Sequence, residues 1–439
     1  MLTVREEELL SLLEFKTLLS HFDALASLDR RSDGEGEGRA RKYLTDRLRE
    51  SGVSCDASAD EGILGFGGAA TLCVRSAPDG FFETRDVSAK AWNFSAGGTN
   101  VAGVARFLPK GSPSGVLDYL SSMTPFKNSA VSPTGACDLA GRVVLSRSFS
   151  PPVVLDAASR GAVGFVICWP QGDEEEIHHS GTVMWWGTPG PEESAWAPDI
   201  PVVAVNKRDG DRLVEAAERG ELVLSLSSES AEEVVPVHRV EATIPSTTGD
   251  SRFILAGAHL DSKYLGATDN AAGAALALSL AVALSRMEHR RWGVKICWWS
   301  GHEFGRYTGS SLYARDRFDE LERDCVAYAN IDMPGMRGAT DWSAITAGPD
   351  LFDLAARAVL DVTGQRGVPA GRVRAWDQSF QNLGVSSLFV WSSRLPPNSP
   401  CRTGGGAMPW WWHTEADTSE FCDPKVFETD ARLYMTALV

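Results

Sequence analysis

No two cysteines in this chain are spaced as C-x-x-C, although the 439 residues hold 8 of them, at 55, 73, 137, 168, 297, 325, 401 and 422. Wide, irregular spacing excludes a compact zinc knuckle or a small disulfide framework and reads as free thiols. Basic charge is also scarce: Lys and Arg number 42 against 58 Asp and Glu, a net charge of -16. That balance argues against nucleic acid and anionic membrane surfaces, which need a basic face. No run approaches the roughly eighteen apolar residues of a membrane span; the stretch from Ala271 to Leu284 is shorter and reads as a buried helix. The opening Met1-Leu2-Thr3-Val4-Arg5-Glu6 lacks the basic start, apolar run and small-residue cleavage site of a signal peptide. A cytoplasmic location is the expectation. Internal repeats and low-complexity tracts are absent.

What is present is ordinary globular material, 43% hydrophobic and 23% charged, in a chain long enough for two or three domains. From Glu6 to Gly52 the apolar spacing is helical, with Leu9, Leu10, Leu12, Leu13 and Phe15 on one face, a break at Gly36 and Gly38, and a stop at Gly52. From Leu64 to Val235 short β-like runs alternate with Gly, Pro and Ser; residues 141–146, 164–168 and 200–205 read as strands and Val153 to Arg160 as a helix. Gln171 to Pro198 reads as a long polar loop whose His178-His179 pair faces solvent. After Arg239 strands and helices alternate strongly: strands at 252–258, 293–299 and 326–331, helices from Asn270 to Arg286 and from Ser310. That order implies a mainly parallel mixed sheet flanked by helices, with a smaller β-rich α/β unit inserted. The expected division is 1–63, the first part of the main domain; 64–235, the insert; and 236–439, the remainder.

Ligand sites in such sheets gather at the carboxyl ends of strands, and several acid and imidazole side chains fall there. His259 and Asp261 follow one strand on the same face of extended backbone; Glu303 follows the next, and Asp332 a third. Asp269 stands at the start of the Ala-rich helix, and His413 lies far downstream after Trp410-Trp411-Trp412. Singly, each has an ordinary structural reading: a packed histidine, a helix N-cap, a turn. Together, two histidines and three carboxylates suit a pair of Zn²⁺ or similar divalent ions, one carboxylate bridging. A hydroxide shared by such a pair would attack a carbonyl.

The residues His259-Leu260-Asp261-Ser262, Gly266-Ala267-Thr268-Asp269-Asn270, Gly301-His302-Glu303-Phe304-Gly305, Asn330-Ile331-Asp332-Met333 and His413-Thr414 with Asp417-Thr418 resemble the aminopeptidase Y and leucyl-aminopeptidase family of di-zinc exopeptidases. Its relatives include glutamate carboxypeptidase II, glutaminyl cyclase and the transferrin receptor. The resemblance implies a peptide or small amide as substrate, and that His259 and Asp332 hold one metal and Glu303 and His413 the other. Asp269 would then bridge, and Asp261 would orient His259. The middle of the chain, through Asp138 to Val144, Gly161 to Gly164 and Ile200 to Val203, is similar to the protease-associated domain that many members insert.

One position departs from the pattern. The family carries two consecutive glutamates, general base then ligand, where this chain has His302 then Glu303. Its reference pKa of about 6.5 suits an imidazole to carrying protons near neutrality, so His302, with Asp261, is the expected catalytic pair. Two alternatives stand beside this: His302 binding a substrate group or a metal while the enzyme hydrolyses a non-peptide amide, and a catalytically altered homologue that binds metal and acts as a scaffold. Around the site, the Trp410–Trp412 run is expected to supply a pocket ring, with Trp298 or Trp299 in the core. Arg306 and Arg402 are expected at the surface, where either could pair with a substrate carboxylate. Asp377-Gln378-Ser379 stands where relatives have a Ser-Asp-His-type segment, without the histidine. Nothing in the sequence sets an oligomeric state.

Overall fold

The computed structural model describes residues 4–439 except 79, 83–85, 99, 109–137, 149–150, 171, 180–196, 371–376, 390–392 and 403–407. Cys137, the glycines at 404–406 and most of the expected 171–198 loop lie outside the described residues. In chain order the strands are β1 (Ser54–Ser76), β2 (Asp86–Val87), β3 (Lys90–Ala91), β4 (Asn100–Leu108), β5 (Arg142–Ser146), β6 (Gly164–Cys168), β7 (Val202–Val205), β8 (Val223–Ile244), β9 (Phe253–His259), β10 (Gly293–Trp299), β11 (Cys325–Asn330), β12 (Ala344–Ile345), β13 (Val368–Pro369) and β14 (Ser387–Phe389). All but β12 and β13 join one sheet in the order β14-β11-β9-β10-β8-β4-β5-β6-β7-β3-β1-β2. The expected fold class is borne out. β9, β10, β11 and β14 run parallel, and β8 closes that group antiparallel.

β8 is the spine of the molecule. Its last residues pair with β10, its first residues with β4, and almost its whole length with β1, from Ser54 opposite Thr243 to Ser76 opposite Val223. Residues 64 and 235 both lie inside this ribbon. The expected strands at 141–146, 164–168 and 200–205 are β5, β6 and β7, while both ends of the 64–235 segment belong to the two long strands. Gly67 allows their neighbours in: a Cβ at that position would stand 2.3 Å from the Ala91 carbonyl oxygen and 2.7 Å from His179 Nε2.

The core follows from side-chain alternation. β9, β10 and β11 are apolar on both faces because helices cover both. The helix Ala272–Ser285, buried along nearly its whole length, lies against one face; with the turn before it, Ala267–Ser285 is long and apolar enough to cross a membrane but is buried in the core. Successive tryptophans of β10 divide between the faces: Trp298 packs in this cluster, and Trp299 in the opposite one with Tyr313, Tyr328 and Phe380. Both are fully buried, one more than the expectation of one.

The N-terminal expectation needs a correction. Helices run over Val4–Leu10, Phe15–Ala26 and Glu35–Glu50, so Gly36 and Gly38 lie inside a helix instead of breaking one. Gly36 is there for closeness: a Cβ would sit 1.7 Å from the Asp29 carbonyl oxygen. The chain bends instead at 27–34. There Arg30, fully buried, donates to the carbonyls of Leu25, Leu28, Leu260, Leu265 and Gly266, tying the first helices to the loop after β9.

Candidate metal centre

Because β9, β10 and β11 are parallel neighbours, their carboxyl ends open on one edge of the sheet. His259 is the last residue of β9. Glu303 lies in the single turn His302–Gly305 after β10, entered through Gly301 at φ 73°. Asp332 follows β11. Asp269 sits in the irregular turn Ala267–Ala271 that precedes the long buried helix, one turn earlier than the helix expected to carry it. His413 arrives on a distant loop with a left-handed backbone, φ 56°.

The fold brings all five together. His259 Nε2 lies 2.9 Å from one oxygen of Asp269 and 3.4 Å from Asp332 Oδ1. His413 Nε2 lies 3.1 Å from the other oxygen of Asp269 and 3.0 Å from Glu303 Oε1. Asp269 therefore faces both histidines, one oxygen to each. All five side chains are buried.

Their charges are unbalanced by ordinary means. Three carboxylates share a dry pocket, and the histidines take up positive charge in response. Burial would depress the His259 imidazole, but Asp332, Asp261 and Asp269 carry it well above its usual value. Burial opposes charge on His413 too, yet Glu303 and Asp269 raise it to about 9. Burial raises the Asp269 carboxyl, and the two imidazoles outweigh that and hold it well below the usual range. Asp332 Oδ1, also buried, has no hydrogen-bond partner. Convergent imidazole Nε2 atoms, surplus carboxylate charge and an orphan oxygen are what a divalent cation satisfies, so the residues fit a metal site.

Asp261 meets His259 more closely through its backbone than through its side chain. The Nδ1 of His259 lies 2.9 Å from the backbone carbonyl of Asp261, and the Asp261 carboxylate is 3.7 Å away. That carboxylate accepts from Ser32 Oγ at 2.6 Å, from the backbone N–H of Glu303 at 2.9 Å and from that of His302 at 3.2 Å. It braces the turn that presents Glu303. Asp417 does the same for Asp269, accepting from its N–H and from both donors of Thr268.

His302 stacks on His259, ring centroids 3.8 Å apart and 16° from parallel, and donates through Nδ1 to Asp377 Oδ2 at 2.6 Å. Asp377 is itself buried and accepts from Ser310 Oγ at 2.5 Å. This His–Asp pair is what sequence reasoning missed: Asp377 was noted only for the histidine absent near it. Burial and His259 depress the His302 imidazole, and Asp377 with Glu303 more than restores it, so its pKa stands above the usual value.

The remaining expectations resolve as follows. His178 and His179 are buried, not solvent-facing: His178 stacks on Trp169 at 4.0 Å, and the His179 N–H donates to the His413 carbonyl. Trp412 stacks on His413 at 3.9 Å, while Trp411 is buried against Phe421. Arg306 and Arg402 are half-buried instead of exposed.

The large, mainly parallel sheet flanked by helices is the fold of solved aminopeptidase structures, and residues 239–438, a little under half of the chain, match the model of Peptidase family M28. The aminopeptidase of Aneurinibacillus sp. strain AM-1 superposes with a TM-score of 0.67 at 18% identity, over 98% of this chain and 95% of that one. BSAP, a zinc aminopeptidase from Bacillus subtilis, does so at 0.68 and 16%, over 97% and 94%. In sequence, the probable lipoprotein aminopeptidase LpqL of Mycobacterium tuberculosis is 30% identical over 219 residues, 49% of this chain and 38% of that protein. The probable glutamate carboxypeptidase LAMP1 of Arabidopsis thaliana is 27% identical over 143 residues, 32% of this chain and 21% of its own. The chain thus spans well under half the length of these curated relatives.

Proposed function

We propose that this protein is a metal-dependent hydrolase of peptide bonds, an aminopeptidase of the aminopeptidase Y and leucyl-aminopeptidase kind, taking two zinc ions. One observation carries the reading: two imidazole Nε2 atoms and three carboxylates converge, with the two oxygens of Asp269 divided between the histidines. His259 and Asp332 would hold one ion, Glu303 and His413 the other, and Asp269 would bridge. Such a pair, when bound, supplies Lewis acidity and a water of lowered pKa. The Bacillus subtilis protein that shares the fold is a zinc aminopeptidase, which supports the choice of metal.

In this reading His302 carries the proton. Its Nδ1–H is committed to Asp377, which leaves Nε2 as the acceptor on the ring that lies over His259. That nitrogen would take a proton from the attacking water and pass it to the leaving amine. Residues 64–235 form a protease-associated-like insert, and the protein works in the cytoplasm. The exchange of an acidic base for an imidazole favours one second reading, an amide substrate that is not a peptide.

Elemental analysis of the purified protein, paired with a panel of aminoacyl and acyl-amino-acid amides with and without chelator, tests this. Two metal equivalents and chelator-sensitive turnover of the aminoacyl substrates are expected. Turnover confined to non-peptide amides selects the second reading. Two equivalents with no turnover indicate a metal-holding scaffold, and no metal after Zn²⁺ reconstitution removes the basis of the proposal.

A further inference from the structure

Residues from the insert reach into the candidate metal centre at three points. Asn93, fully buried, donates through Nδ2 to the backbone carbonyl of Glu303 at 2.8 Å. Its Oδ1 accepts from the Gly67 N–H at 2.9 Å and from Lys263 Nζ at 3.3 Å, so donors on one side and an acceptor on the other fix the amide's orientation. The His179 N–H donates to the His413 carbonyl at 2.9 Å. Lys90 Nζ, on β3, binds Glu415 Oε1 at 2.6 Å and Tyr264 Oη at 2.5 Å, joining the loop of His413 to the loop after β9.

Lys263 and Tyr264 belong to the loop after β9, but the contacts made to the metal-site residues themselves fall on one half of the centre, Asn93 on Glu303 and His179 on His413. The described hydrogen-bond, ion-pair and ring partners of His259 all come from residues 261–332, and its Nδ1 is aimed by a carbonyl of its own loop. Among the described residues His413 has no such aim: its buried Nδ1 meets no hydrogen-bond partner there. Its backbone is left-handed, φ 56°, a conformation that a non-glycine residue keeps only where its surroundings impose it. What imposes it is the N–H of His179 on its carbonyl and the Trp412 ring stacked on its imidazole, and Trp412 in turn packs on the insert's core of Trp92, Phe94 and Trp169.

We infer that Lys90, Asn93 and His179 position the Glu303–His413 half of the centre, so that the insert is a structural part of one metal site and not of the other. This rests on the two-metal reading above. Outer partners of metal ligands are typically worth about 10- to 100-fold in affinity, and here those partners belong to a segment the family match, residues 239–438, does not include.

The test is Zn²⁺ titration of the chelator-stripped full-length protein against a competing chromophoric chelator, with elemental analysis and thermal melting on every variant. The wild type is expected to take two equivalents. Asn93→Ala and Lys90→Met should each keep one at wild-type affinity and weaken the other about 10- to 100-fold; Lys90→Arg, which keeps the charge, should restore it. His413→Asn marks the affected site, and adding Asn93→Ala to it should leave the remaining equivalent unchanged. Two equivalents at wild-type affinity in both insert variants would overturn the inference. So would equal weakening of both equivalents in variants that melt normally. Fewer than two equivalents in the wild type overturns the two-metal reading itself, a result visible before any variant is made.

Discussion

The imidazole of His302 is fixed from two directions, by the face of His259 and by the carboxylate of Asp377, and it retains one nitrogen for chemistry. His302→Ala should therefore lower kcat about 10²- to 10⁴-fold, the usual worth of a positioned acid–base group, while metal content by elemental analysis stays at the wild-type value. Asp377→Asn offers an amide where Nδ1–H needs an acceptor and so favours the wrong tautomer; kcat should drop about 10²-fold at unchanged metal content. A base must be unprotonated, so the rate should fall on the acidic side of a pKa above the ordinary 6.5. Removing the Asp377 charge, which raises that pKa, should move the acid limb down. An acid limb that stays put in Asp377→Asn would argue that another group carries the proton. The exchange at position 302 was legible in the sequence because Glu303 follows it immediately. Its partner was not, since 75 positions separate His302 from Asp377 and no local pattern marks an acceptor brought in by another loop.

Elements were readable wherever burial on both faces left an unbroken apolar run. β6 and β10 fall on their expected residues, and β9 and β11 within one of theirs; with those strand ends came His259, Glu303 and Asp332. The β1–β8 ribbon was obscured because glycines, alanines and serines interrupt its alternation, each admitting a neighbour whose approach the sequence does not announce. Gly36 misled for the same reason. Gly36→Ala should destabilise the first helices, since the added methyl meets a backbone carbonyl that cannot move aside cheaply. A stronger effect is expected of Arg30→Met, which leaves five carbonyls, four of them buried, without this donor: roughly 3 kcal/mol or more, read as a shift in the denaturant midpoint. Arg30→Lys should not rescue it, because a single ammonium cannot span the same set of acceptors. Full rescue by lysine would mean that the charge matters there and the fork does not.

At the scale of the whole molecule, protons and metal compete for one pocket, which makes stability depend on pH in opposite senses with and without metal. In the stripped protein the folded His413 holds its proton up to about 9, and His259 and His302 are raised in the same direction. A group whose folded pKa exceeds its unfolded value contributes stability that is complete below the unfolded pKa, about 6.5, and is lost as pH rises through the folded one. Glu37, raised by burial foremost to about 8, acts in the same sense. Lys263, lowered by burial to about 7, opposes them above that pH, one ammonium against three imidazoles and a carboxyl. The melting temperature of the stripped protein should therefore fall between pH 6.5 and pH 9. Metal binding needs the same imidazoles neutral and releases their protons, so the stabilisation by saturating Zn²⁺ should grow over that interval. Thermal melts of the stripped and loaded forms across it, with proton release followed in weakly buffered solution, decide the matter. A stripped protein equally stable at both ends would mean that the five side chains are not held as a charged cluster, and a Zn²⁺ effect independent of pH would place the ion away from His259 and His413.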